Sequence, residues 1–507
     1  MALGRWARWS AGVDLEEATI PELERAMDAG RLSAYRLTRF YLRRIRRVDS
    51  RLHAVIAVNP GALDEARASD RRRSRGWRGP MEGIPVLLKD NISAGDAMPT
   101  TAGSLALRDA RPKQAFLVRR LQAAGAVILG KANLSEWANF RSTQSSSGWS
   151  PLGGQTNNPY ALDRNPSGSS SGCGAGVSAH LATVALGTET DGSVLCPASA
   201  TGVVGIKPTV GLVSRTGIVP ISHEQDTAGP MARNVTDAAV VLGAVAGIDR
   251  EDPATQRSAG HVHDDYTRFL DRGALRGARI GVWRAGRGTS NETDDIVDRA
   301  VAQLRAHGAT VIDPVRPESV DDIDEPELTA LLYEFRHDLD AYLADVPGDH
   351  PRTLAELIEF NREHANAEMP YFEQEVFERA QDTGGDLNDP EYVRARRTAT
   401  RLARAAIDDT LAEHGLDAVV APTASPAWPT DLVNGDHFIL GSSTPASVAG
   451  YPNITVPAGL AFGLPVGMSF MGSRWGEAGL IALAYAFEQA TRVRRPPGLR
   501  PTAELPR

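Results

Sequence analysis

The sequence predicts an α/β fold, and two observations predict it. From about residue 82, short apolar runs end in glycine, Asp or Asn: "GIPVLLKDNI", "GAVILGKANL", "ATVALGTETDGS" and "GVVGIKPTVGLV". Each has the length and apolar density of a buried strand leading into a polar loop. Between them lie segments with helical character, such as "KQAFLVRRLQAAG" and "VTDAAVVLGAVAG". Strands alternating with helices argue for a sheet whose functional loops sit at strand ends.

Ahead of that alternation, residues 15–80 read as a helical region. "TIPELERAMDAG" opens with a Thr cap and closes at glycine, and "SAYRLTRFYLRRIRRVD" places apolar residues at helical spacing. The basic clusters Arg43 to Arg47 and Arg71 to Arg75 read as solvated helix faces. Residues 81–250 carry the strand–helix alternation. Residues 251–415 are rich in Asp, Glu and Arg, with long helical patterns such as "PEYVRARRTATRLARAAIDDTLAEHG", and read as an exterior helical layer or a lid. Strand texture returns at "DAVVAPTASPAWP", and residues 416–495 rejoin the sheet through "LPVGMSFMG" and "GLIALAYAFEQATR". No internal repeat or long low-complexity tract is present, and residues 1–507 are taken as one domain.

Composition narrows the function. With 42% apolar and 23% charged residues the chain is ordinary for a globular protein. A net charge of -8 without a dominant basic patch argues against a nucleic-acid partner. Two cysteines make no disulfide framework, which favours a reducing compartment. The N-terminal twenty residues lack the apolar core of a signal peptide, and no run of eighteen apolar residues exists, so the expectation is a cytoplasmic protein without a membrane span. Only four of the 55 basic residues are lysines: Lys89, Lys113, Lys131 and Lys207. Lysine can act as a neutral base when buried, and arginine cannot.

Several motifs fail on inspection. "GAVILGKA" has the spacing of a phosphate loop, but Ala132 stands where a magnesium-binding hydroxyl is needed and the intervening residues read as a strand. "GSSSG" (Gly168 to Gly172) would make Ser170 a nucleophile on a sharp turn, yet no strand precedes it and no His stands out as its base. "HVHDD" (His261 to Asp265) lies in a polar stretch without a matching second cluster. No metal and no cofactor are assigned.

Three elements remain: Lys89 ending "GIPVLLKDNI", the run "RNPSGSSSGCGAG", and Ser193 in "TETDGS". Their pattern resembles the amidase signature family, densely from Gly83 to Arg233 and through "DAVVAPT", "GYPNITVPAG" and "LPVGMSF" to about residue 472. The resemblance implies a large mixed β-sheet surrounded by α-helices and amide hydrolysis by a Ser-cisSer-Lys triad. Carried over, Ser193 is the nucleophile, Ser169 the bridging serine and Lys89 the base, with a cis peptide at Gly168–Ser169. The backbone N–H groups of Thr190, Asp191, Gly192 and Ser193 would form the oxyanion hole. Thr156 and Arg164 match positions that support the site in some members. The chemistry is consistent: a serine hydroxyl needs a neighbouring base. Lysine supplies one only if its pKa falls by about three, roughly 4 kcal/mol, and burial at a strand end can do this. Lys131 and Lys207 occupy similar strand ends, so the family match alone selects Lys89.

The family's usual pattern has glycines where Ser167, Ser171 and Asp191 stand and a serine where Cys173 stands. These departures, with "NFRSTQSSSGWS", "TETDGSVLCPA" and "QDTAGPMAR", resemble the peptide amidase branch, which removes ammonia from C-terminally amidated peptides. An ionised Asp191 pointing inward would oppose the developing oxyanion, so it is expected to turn away. Asn139 and Asp226 are candidates for shaping the substrate pocket. The implied partner is a small-molecule or peptide amide. A general aliphatic or aryl acylamidase, the amidase subunit of a tRNA-dependent amidotransferase, and an inactive binding protein on the same fold remain as alternatives.

Overall fold

Apolar runs bounded by polar strand ends become the strands of one eleven-stranded mixed sheet in the computed structural model, which describes residues 9–10 and 12–504. Part of the segment read for a leader's apolar core falls in residues 1–8 and 11, outside the described residues. In chain order the main strands are β1 (Val55–Val58), β2 (Pro85–Lys89), β3 (Val127–Ala132), β4 (Val184–Glu189), β5 (Val204–Lys207) and β6 (Thr227–Ala232). They continue as β7 (Arg279–Trp283), β8 (Thr310–Val315), β9 (Ala418–Pro422), β10 (Asn453–Ala461) and β11 (Leu464–Met471). Across the sheet the order is β8-β7-β9-β11-β10-β5-β6-β4-β2-β3-β1.

Strand β2 runs parallel to both β3 and β4, whereas β6 is antiparallel to β4. Strands β2 to β6 are buried along their whole length, as expected when helices cover both faces. Two local consequences matter. Parallel pairing of Leu88 with Leu186 brings the carboxyl ends of β2 and β4 to one place, with Lys89 beside Thr188. Antiparallel pairing of Thr227 with Glu189 sets Asp226 beside Thr190.

The N-terminal helices follow their signals, but residues 15–80 are not purely helical: β1 lies within them and pairs with β3 at the edge of the sheet. Thr19 caps Ile20–Asp28 in a capping box with Glu22, and Ser33 caps Ala34–Val48. Arg43, Arg46 and Arg47 are exposed, but Arg73 of the second basic cluster is buried, paired with Asp28 and donating to the Glu82 carbonyl. A neighbouring carboxylate lets a guanidinium leave solvent, which a charge run by itself does not announce.

Residues 251–415 are not purely helical. Strands β7 and β8 fall within them and extend the sheet to its edge. "TVIDPV" is a half-exposed edge strand and "RIGVW" beside it is short, so neither carries enough apolar density to be recognised among charged neighbours. The helices Asp324–Asp345, Leu354–Glu363 and Glu375–Asp382 form a layer whose Leu331, Phe335 and Phe377 pack against Ala102, Trp137 and Val219. Among the described residues no helix is long and apolar enough to cross a membrane.

Candidate active site

The serine-rich stretch is packed interior. From Asn165 to Gly176 every residue except Gly168 is buried, and the helix Ser171–Ser178 starts within it. Ser171 Oγ donates to the Ser167 carbonyl at 2.7 Å, and the Ser170 N–H donates to the Ser193 carbonyl at 3.0 Å, tying this segment to the loop after β4. The Gly168–Ser169 peptide bond is cis. A Cβ on Gly168 would lie 2.2 Å from Ser135 Oγ and 2.9 Å from Asn139 Oδ1, so a side chain there would have to displace both.

Lys89 is fully buried at the end of β2. Its Nζ lies within hydrogen-bond distance of Ser169 Oγ (2.8 Å), Thr188 Oγ1 (2.9 Å) and the Thr188 carbonyl (3.2 Å). Burial brings its pKa down to about 7, against the opposing charges of Cys173, Asp226 and Glu189. The structure separates the three buried lysines that sequence alone left equivalent. Lys131 is paired with Asp90 at 2.7 Å, and Lys207 donates to the Pro208 carbonyl. Lys89 is the one that reaches the serine segment.

Ser193 is 8% exposed and borders a cleft of about 850 Å³ together with Asn139, Ser167, Gly168, Asp191 and Cys196. The loop reaches it through Gly192 at φ 77°, in the left-handed region. Behind the loop, the buried Glu189 carboxylate accepts from the backbone of Val194 at 2.7 Å and Leu195 at 3.0 Å. Asp191 accepts from Thr444 Oγ1 at 2.6 Å through one oxygen and still borders the cleft.

The remaining sequence candidates separate into wall and brace. Asn139, at φ 70°, lines the cleft and donates to Ser145 Oγ at 3.0 Å. Asp226 does not line that cleft; it accepts from Thr190 Oγ1 at 2.6 Å and from the Ile221 and Ser222 backbone at 2.8 and 2.9 Å. Burial raises its pKa to about 6. Thr156 accepts from Asn133, whose carbonyl accepts from Gly172 at 2.9 Å, so it braces the serine segment at one remove. Arg164 lies near Asp163 at 3.5 Å, and its carbonyl accepts from Asn158. Neither touches Lys89, Ser169 or Ser193.

Sequence reasoning missed Thr188, Asn91 and Glu189. Their signal was the polar ending "TET" on an otherwise apolar strand, in which the first Thr faces the lysine. Asn91 Nδ2 donates to Thr188 Oγ1 at 2.9 Å. Of the rejected motifs, "GSSSG" lies within this constellation, its Ser170 hydroxyl donating to the Thr188 carbonyl at 3.1 Å, and the other two do not enter it. Residues 127–132 are strand β3, and His261 stacks on Trp475. Among the described residues one other trio gathers metal-ligating side chains, His223, His337 and Asp338. Both imidazoles bond the Asp338 carboxylate at 2.8 Å, and the trio lies outside the cleft.

Comparison with known proteins agrees with this architecture. The Amidase family model matches residues 36–481. The chain is 52% identical to the native peptide amidase from Stenotrophomonas maltophilia, with a TM-score of 0.90 over 95% of this chain and 99% of that one. It is 42% identical to a probable amidase of Arabidopsis thaliana over 97% of this chain and 93% of the relative. It is also 34% identical to one subunit of the glutamyl-tRNA(Gln) amidotransferase of Halorhodospira halophila, over 94% of this chain and 98% of the relative. The chain belongs to the amidase signature family and is an amide-hydrolysing enzyme.

Proposed function

We propose that this enzyme uses Lys89, Ser169 and Ser193 as a Ser-cisSer-Lys triad and converts C-terminal peptide amides into free acid and ammonia. The observation that carries the triad is the 2.8 Å contact between a lysine with a pKa of about 7 and the hydroxyl of Ser169. A neutral amine has two N–H groups and one lone pair. Directing both N–H groups at the two Thr188 oxygens leaves the lone pair for the Ser169 hydroxyl. Lys89 takes the Ser169 proton as Ser169 takes that of Ser193, and Ser193 Oγ attacks the amide carbonyl. The carbonyl oxygen gathers charge facing the N–H groups of Thr190, Asp191, Gly192 and Ser193. The C–N bond breaks, the nitrogen leaves as ammonia with the proton returned through Ser169, and water then releases the acid from Ser193 by the same relay. The scheme uses side chains, backbone N–H groups and water.

The choice of peptide amides is supported by the 52% identity to a peptide amidase and by a cleft whose volume suits a short peptide end. A reducing, cytoplasmic compartment and a single domain belong to the same reading. Cys173 and Cys196 are buried and unpaired, and one sheet draws strands from residues 55 to 471. Asp226 and Thr156 serve in this scheme as braces, and Asn139 as a wall of the cleft. A peptide supplied with a carboxamide end and with a free-acid end tests the substrate class by mass spectrometry. The amide should gain about 1 Da as NH2 becomes OH, and the acid should be unchanged. Internal cleavage, or hydrolysis of aryl amides alone, would overturn it.

A further inference from the structure

Large apolar side chains standing in solvent are few among the described residues, and two of them are neighbours: Phe438 is 46% exposed and Ile439 is 61% exposed. Both line the cleft that holds Ser193. The loop that carries them is held on either side. Before them, Asp436 accepts from the Ser147 backbone at 3.0 Å, from Asn165 Nδ2 at 3.2 Å and from Trp428 Nε1 at 3.2 Å. After them, the Leu440 carbonyl accepts from the Ser425 backbone at 3.1 Å. Buried Trp428 meets the Phe438 ring edge-on, centroids 5.8 Å apart. The pair is therefore presented on a braced support.

Exposed apolar groups beside a reactive centre are covered when substrate binds, and that burial is the source of selectivity. The other charges of the cleft act in the same direction. Asp191, Asp321, Asp324 and Asp436 line it, and Arg284, the basic residue among its lining, is paired with Asp313 and Asp298. Among the described residues that line the cleft, an acidic substrate side chain meets no unpaired cation.

Building on the peptide-amide reading above, we propose that Phe438 and Ile439 form the specificity wall of the site. They select peptide amides with a bulky apolar side chain in one of the last two residues.

The test compares kcat/KM for acetyl-Gly-Gly-amide with acetyl-Gly-Leu-amide and acetyl-Leu-Gly-amide, and with Glu in place of each Leu. In the parent enzyme at least one Leu peptide should exceed the Gly-Gly amide by about tenfold, and its Glu counterpart should lose that gain. The double variant Phe438→Ser, Ile439→Ser should erase the Leu preference and leave the Gly-Gly amide within about twofold of the parent. A thermal melt matching the parent shows that the exposed substitutions leave the fold intact. Equal rates for Leu, Gly and Glu peptides in the parent, or a Leu preference that survives in the double variant, would overturn the proposal. The Gly-Gly amide reports separately on the peptide-amide reading, because its hydrolysis does not depend on the wall. If no peptide amide is hydrolysed, both fall.

Discussion

At neutral pH a lysine in water is almost wholly protonated, and Lys89 can accept a proton only as the free amine. Its surroundings supply that state through complete burial with no paired carboxylate among the described residues. The sign of the pH dependence follows from the pKa of about 7. Below it the amine is charged and the proposed base is lost, so kcat/KM should fall as pH drops through about 7 and level off above. Lys89→Arg keeps a cation at the site but cannot deprotonate. It should lose about three orders of magnitude or more in kcat. A pH profile flat across 7, together with substantial turnover by Lys89→Arg, would make the lysine a structural cation. At this scale the sequence pointed to three strand-end lysines. What separates them is three-dimensional: Lys131 has Asp90 at 2.7 Å, whereas Lys89 has a serine hydroxyl.

Strand pairing explains why Asp226 was legible as important and not legible as to its task. Thr190 and Asp226 are 36 positions apart, and only the antiparallel register of β4 and β6 makes them neighbours. One Asp226 oxygen holds the Thr190 hydroxyl, and the other holds the backbone of Ile221 and Ser222. Alanine there removes both acceptors and leaves the Ile221 and Ser222 N–H groups and the Thr190 hydroxyl without this partner. Asp226→Ala should therefore loosen the loop that carries the proposed oxyanion donors. The expected outcome is a fall in kcat of about ten- to a hundredfold with KM within about threefold. A rise in KM at constant kcat would return Asp226 to the role of a pocket residue. The helix caps, by contrast, were readable from neighbours alone: Thr19 and Ser33 stand where the sequence placed them because a cap acts within three residues.

The fold as a whole was legible where apolar runs are continuous. Strands β2 to β5 are buried throughout, and their apolar runs are read directly as strands. Strands β1, β6, β7 and β8 were not: β6 carries Gly229 and Pro230 at its centre, β8 is a half-exposed edge, and β1 and β7 are short segments among helical neighbours. The serine-rich stretch misleads in the opposite sense. Its composition is that of a linker, but its serines spend their hydroxyls on backbone carbonyls inside the molecule. That packing is what leaves open which serine reacts, since Ser169, Ser170, Ser171 and Ser193 are all buried. The most direct test of the account is to treat the enzyme with a serine-reactive fluorophosphonate and locate the adduct by tandem mass spectrometry. A single adduct on Ser193, absent from Ser193→Ala, is the predicted result; an adduct on Ser169 or Ser170, or labelling that persists in Ser193→Ala, would contradict it.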